Sequence, residues 1–216
     1  MPFSALFPAL VLALAPLGSL PADSPLEGPV ADSPEQIHPL GAGDTAPGGA
    51  LRGLDGKTVE LHKLIHAKPT VLIFYRGSWC PYCNLQMEQL MKLEPRLLAL
   101  GYQILAISPD KPENLRLSLE KHQLNYTLLS DSPYHVIRAF GLAYQVDPVT
   151  VEKMRAFHVD LRAASGEPHD WLPVPAAYVL DTKGGIHFSY HNADIRVRID
   201  PEKLYEAAQS ALDAHP

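Results

Sequence analysis

Five consecutive residues, Thr70-Val-Leu-Ile-Phe74, leave no polar face. A run of this kind reads as a strand buried on both sides, which needs helices on both faces of its sheet. Shortly after it come Cys80-Pro81-Tyr82-Cys83 and then leucines at 85, 90, 93, 97 and 98. Their spacing predicts a helix over roughly 81–99. Pro95 is expected to kink this helix or to start a second piece, and Gly101 to end it. The two cysteines are the only ones in the chain. They fall where a central strand ends and a helix begins, the usual place for ligands in an open α/β sheet.

The same pattern continues. "QILAIS" (103–108) reads as a strand, 112–122 as a helix, 126–129 as a short strand and 133–140 as a helix. Residues 149–163 read as one further helix, and "AAYVL" (176–180) and "IHFSY" (186–190) as a hairpin turned by "TKGG". A last helix opens at Pro201, a favourable first-turn position. Alternating strands and helices followed by a hairpin give an α/β/α sandwich with a central mixed sheet.

Residues 18–50 are rich in Pro, Gly, Ala, Ser and Asp and show little periodicity. The expected organisation is a signal peptide over 1–22, a linker over 23–42 and one domain over 43–216. Phe3 to Leu17 is apolar but too short to span a bilayer, and Pro8 and Pro16 interrupt it. Ala22 is the expected cleavage site, although no Lys or Arg precedes the run. The expected location is therefore periplasmic or secreted, or cytoplasmic if the run is not a signal, with no integral span in the mature form. A net charge of −6 with no block of Lys or Arg argues against nucleic acid.

The cysteine pair has a limited set of uses. A sulfur at a helix N-terminus meets unpaired N–H groups and the positive end of the dipole, and both favour thiolate. Structural zinc needs four ligands and the pair supplies two; His62 and His66 lie in a separate segment. Covalent haem needs His after the second cysteine, where Asn84 stands. A disulfide across two residues removes little chain entropy, so a purely structural bond gains little. Redox chemistry remains, with one activated thiolate and one built-in resolving thiol.

"FYRGSWCPYC" after a buried strand resembles the thioredoxin superfamily. The longer pattern resembles its peroxiredoxin branch, the alkyl hydroperoxide reductase/thiol-specific antioxidant (AhpC/TSA) family, from about Gly43 to Leu212. "GDTAP" (43–47) looks like that branch's opening segment, "ISPDKPENLRLSLEKHQLNYTLLSD" (107–131) like its strand-helix-strand middle, and "YHVIRAFGL" (134–142) like its next helix. The resemblance implies a thioredoxin-like fold and no cofactor. It also implies a peroxide substrate and a thioredoxin-like electron donor. Such bodies often pair, so a homodimer is an option that no residue pattern decides.

The site departs from the peroxiredoxin signature P-x-x-x-T-x-x-C. In that register Cys83 is the peroxidatic residue, Cys80 stands for the threonine, Arg76 for the proline and Pro175 for an arginine. W-C-x-x-C instead resembles thioredoxins, and "LPVPAAYVLD" (172–181) resembles their segment in which a proline follows a branched residue before a strand. That likeness implies a cis Val174–Pro175 bond opposite the cysteines and makes Cys80 the attacker. Both assignments stay open on the sequence, and both end in a Cys80–Cys83 disulfide.

Around the pair, Arg76, Trp79, Tyr82, Val174 and Pro175 are the candidate substrate- or partner-binding residues. Arg76 offers positive charge to a thiolate. Arg196 and Arg198 share a face if extended; one of them is a replacement for the missing arginine, though a salt-bridged edge strand explains both more simply. His169 and Trp171 are expected near the mouth if Pro175 is, with a surface place the simpler reading for His169. The leading function is a peroxiredoxin-like thiol peroxidase. The alternatives are a thiol–disulfide reductase acting on exported proteins or small disulfides, and a non-catalytic redox-sensing or binding module.

Overall fold

A computed structural model describes Met1 and residues 28–122 and 124–213. The apolar run 3–17 and the expected cleavage site at Ala22 lie outside the described residues. Among those described, no helix is long and apolar enough to cross a membrane.

The chain forms β1 (Ala50–Arg52), β2 (Thr58–Glu60), α1 (Leu61–Ala67), β3 (Thr70–Phe74), α2 (Pro81–Ala99), β4 (Gln103–Ser108), α3 (Pro112–His122) and β5 (Thr127–Ser130). Then follow α4 (His135–Ala139), β6 (Ala143–Gln145), α5 (Pro148–Ala156), α6 (Leu161–Ser165), β7 (Trp171–Pro173), β8 (Ala176–Leu180), β9 (Ile186–His191) and α7 (Pro201–Asp213). The main sheet has seven strands in the order β2-β1-β5-β4-β3-β8-β9. β3, β4 and β5 run parallel, and β8 returns antiparallel beside β3, with Phe74 opposite Ala176. The expected mixed sheet is thus observed, with β3 an interior strand between β4 and β8.

Residue alternation along β3 builds two cores. Val71 and Ile73 point to one face, where α2, α3 and α7 supply Met87, Leu90, Leu97, Leu115 and Leu204. Leu72 and Phe74 point to the other, against Leu61 and Ile65 of α1 and Val136 and Ile137 of α4. Each fully buried side chain of this size contributes about 1.5–3 kcal/mol of transfer free energy, which is why a strand with no polar face is stable only here. Both cysteines belong to the first core.

Two expectations about helices need correction. Pro95 lies inside one unbroken helix, α2, rather than between two pieces. Residues 149–163 form two helices, because Phe157 closes α5, His158 turns to φ 62 and the Asp160 side chain accepts from Ala163 N–H to start α6. The segment read as a linker is tied to the body over its described part. Ala31 N–H donates to Ala143 C=O at 3.0 Å, Gln145 N–H to Ala31 C=O at 2.8 Å, and Leu40 N–H to Phe140 C=O at 3.2 Å. This strap borders the small β6–β7 sheet, which stands beside the cysteines.

Candidate active site

The site grows from the end of β3. Tyr75 extends the strand, its N–H donating to Ile107 C=O at 3.0 Å. The chain then turns through Arg76-Gly77-Ser78-Trp79 and enters α2, with extended Cys80 as N-cap and Pro81 in the first turn. Proline suits that position because its missing N–H has no helical partner there. Cys80 and Cys83 are free thiols, 1% and 0% exposed. In this reduced state, sulfurs so enclosed favour a small molecule as the reactant.

Asp110, just past β4, shapes the turn. Its Oδ2 accepts from Ser78 N–H at 2.7 Å, while burial pushes its carboxyl up to about 6. The Trp79 indole folds back toward the same carboxylate. Gly77 is required by this close approach: a Cβ there would lie 2.8 Å from Trp79 Cε2 and 2.9 Å from Asp110 Oδ1, at φ 153. Gly77→Ala is therefore expected to cost about 1–3 kcal/mol in denaturant unfolding, as overpacked sites do.

The two sulfurs differ sharply. A hydrogen bond from the Cys83 thiol holds Cys80 down from 9.0 to about 6 against the burial that opposes it. The Cys83 backbone N–H and the guanidiniums of Arg76 and Arg198 pull the same way. Cys83 is pushed well above its ordinary value, first by burial and then by the neighbouring Cys80 sulfur. The pair thus holds one readily lost proton, and the surroundings of Cys80 favour the charge there. Arg76 is 7% exposed, and its Nη1 faces Cys80 Sγ at 4.0 Å. Its guanidinium also lies 5.1 Å from the Trp79 ring centre and beside the Tyr144 hydroxyl.

The other candidates separate. Arg198 Nη2 faces Cys83 Sγ at 3.6 Å, so the simpler edge-strand reading fails for it. Arg196 does form the salt bridge, paired to Asp194 at two points of 2.9 and 2.7 Å. Tyr82 is 41% exposed on the outer side of α2. Val174 is buried in a cluster with Tyr144 and Leu172, against which Trp79 packs. No cis peptide bond occurs among the described residues, so the expected cis Val174–Pro175 bond is corrected to trans. Val174 N–H donates to Leu142 C=O at 2.9 Å, holding the chain extended from β7 into β8. Pro175 is buried at this junction, beside the end of β3.

Trp171 and His169 do not line the mouth. Along β7, Leu172 faces the Tyr144 cluster, so Trp171 turns to the opposite core, where His169 stacks on it at 3.6 Å. His62 and His66 pack edge-on along α1, which covers the other face of the sheet from the cysteines. Among the described residues no three His, Cys, Asp or Glu side chains gather as for a metal ion. Sequence reasoning missed Asp110 and Tyr144. Asp110 had a signal, since it follows a central parallel strand at the sheet's ligand-binding end. Tyr144 had none, because its place depends on the β6–β7 pairing.

A model of the AhpC/TSA family matches residues 42–189. Peroxiredoxin Bcp of Escherichia coli is 38% identical over 106 residues, 49% of this chain and 67% of that protein. Chloroplastic peroxiredoxin Q of Populus jackii is 27% identical over 172 residues, 80% of this chain and 68% of that protein. The crystal structure of peroxidoxin BcpB from Mycobacterium tuberculosis superposes with a TM-score of 0.63 at 19% identity, covering 82% of this chain and 99% of that one. The thiol peroxidase from Chromobacterium violaceum superposes with a TM-score of 0.61 at 16% identity, covering 86% and 99%. These two likenesses concern the fold.

Proposed function

Since this chain belongs to the AhpC/TSA family, we propose that it is a thiol peroxidase in which Cys80 attacks the peroxide and Cys83 resolves the product. One observation carries the assignment: Cys80 is the acidic sulfur, at about 6, and Arg76 stands beside it. The Cys80 thiolate takes the terminal oxygen of the hydroperoxide as the O–O bond breaks, and the leaving alkoxide or hydroxide gains a proton. The sulfenic acid formed on Cys80 condenses with the Cys83 thiol, releasing water and leaving a disulfide. An external dithiol of thioredoxin type then supplies two electrons and two protons. Arg76 serves the step by facing the developing negative charge in a site that excludes water.

Burial of both sulfurs supports a small oxidant over a protein disulfide as substrate. The reading includes export, supported by the composition of residues 3–17. Mass spectrometry of the reduced protein after one equivalent of hydrogen peroxide tests the chemistry. A Cys80–Cys83 disulfide formed at that stoichiometry is the expected product. Two unmodified thiols would refute the proposal.

A further inference from the structure

The Arg198 guanidinium is directed at a sulfur rather than at a carboxylate. It belongs to the segment between β9 and α7, which is fixed at both ends. Asp194 forms a turn there, accepting from Arg196 N–H at 3.0 Å, and Ile199 is buried in the first core. From between these anchors the Arg198 side chain reaches α2, where its Nη2 donates to Cys83 Sγ at 3.6 Å. Its Nε and Nη1 are buried and have no hydrogen-bond partner. The carboxylates on either side are engaged elsewhere: Asp194 by Arg196 at 2.7 Å, and Asp200 by Glu202 N–H at 2.9 Å and Lys203 N–H at 3.2 Å. The Arg76 backbone N–H is a second donor to the Cys83 sulfur. A neutral thiol accepts weakly, and a guanidinium whose enclosed N–H groups lack acceptors is costly. Two donors, one of them charged, suit a Cys83 that becomes a thiolate during turnover.

We propose that Arg198 is a catalytic residue of the resolving step, holding Cys83 as the thiolate that attacks the oxidised Cys80. The inference rests on Cys83 being the resolving thiol. Before oxidation, the Cys80 sulfur and burial both oppose a charge on Cys83. Attack on peroxide turns Cys80 into a neutral sulfenic acid, which removes the first opposition. The groups then facing Cys83 are Arg198 from the segment before α7, Arg76 from the turn and Tyr75 from the end of β3. Burial keeps Tyr75 neutral, so Arg198 supplies the positive charge in contact with the sulfur. Cys83 loses its proton and its thiolate attacks the Cys80 sulfur. The S–S bond forms as the S–O bond breaks, and the departing hydroxide takes a proton to leave as water.

Two measurements test this. The first uses no peroxide. In Cys80→Ser a hydroxyl stands in for the neutral sulfenic acid and Cys83 is the one cysteine left, so its Cβ chemical shift follows its titration by NMR. Adding Arg198→Met is expected to raise the Cys83 pKa by about 1–3 units, the shift that a contacting opposite charge produces. Adding Arg198→Lys is expected to raise it less, since the charge is kept and the planar fork is lost. An unchanged Cys83 titration with Arg198→Met would overturn the proposal. The second measurement is rapid quenching after mixing with hydrogen peroxide at pH 8, with both cysteines present, followed by mass spectrometry. Sulfenic acid formation in Arg198→Met is expected to stay within about twofold of the parent, because this pH lies above the Cys80 titration at about 6. Conversion to the disulfide is expected to slow by about 3- to 30-fold: the thiolate fraction falls by the whole shift, and the higher nucleophilicity of a less acidic thiol returns about half of it. Unchanged conversion, or equal slowing of both steps, would overturn the proposal, the latter assigning Arg198 a structural role. A parent that forms no sulfenic acid would refute the peroxidase reading by itself, leaving the titration to decide whether Arg198 holds the Cys83 thiolate.

Discussion

Cys80→Ser is expected to reduce hydrogen peroxide consumption by at least about 10³-fold, the scale on which removal of a nucleophile acts. Cys83→Ser is expected to behave differently. A serine hydroxyl can still donate to Cys80, so the sulfur stays acidic and the first oxidation proceeds. Without a partner thiol the sulfenic acid persists, and excess peroxide carries it to sulfinic acid. Multiple turnover is lost while the single-turnover rate survives. Cys83→Ala also removes the hydrogen bond that most lowers Cys80. Its Cys80 is expected to titrate well above 6, with a slower first step at neutral pH. Dimedone trapping and mass spectrometry separate these outcomes. The peroxiredoxin register predicts the opposite pattern, with sulfenic acid on Cys83 in the Cys80→Ser variant.

Arg76→Met is expected to lower the rate constant for peroxide by about 10²-fold, the effect of removing one preorganised donor. The guanidinium stabilises the thiolate before reaction, so its removal raises the Cys80 pKa as well. It also faces the charge that develops as the O–O bond breaks. The two effects are separable, because only the first disappears at a pH above both titrations. Arg76→Lys keeps the charge but loses the planar fork, and is expected to fall between the parent and Arg76→Met. An equal loss in both variants would assign Arg76 a packing role against Trp79 instead.

Much of this was legible in the chain. Unbroken apolarity in Thr70–Phe74 placed a central strand, and leucine spacing placed α2. What the sequence hid was decided by contacts distant along the chain. Arg198 stands 115 residues from Cys83, and nothing local distinguishes it from Arg196. Only the close of the chain against α2 sets them apart. The trans Val174–Pro175 bond was hidden for a similar reason, since the pairing of β6 with β7 holds that backbone. The break between α5 and α6 was visible in principle, because Asp160 is a good N-cap residue. Helical periodicity across 149–163 masked it.

The most direct test mixes the fully reduced protein with hydrogen peroxide in a stopped-flow instrument. Trp79, packed beside Arg76, reports the reaction by fluorescence. Rates are taken across the pH range that spans 6. The thiolate of Cys80 is the reactive form and grows as pH rises through its lowered pKa, so the rate should climb through about 6 and then level. Its plateau should exceed that of a free thiolate by about 10²–10³-fold, the contribution of preorganised donors. A rate equal to a free thiolate's, or one still rising near 9, would contradict Cys80 as an activated peroxidatic thiolate.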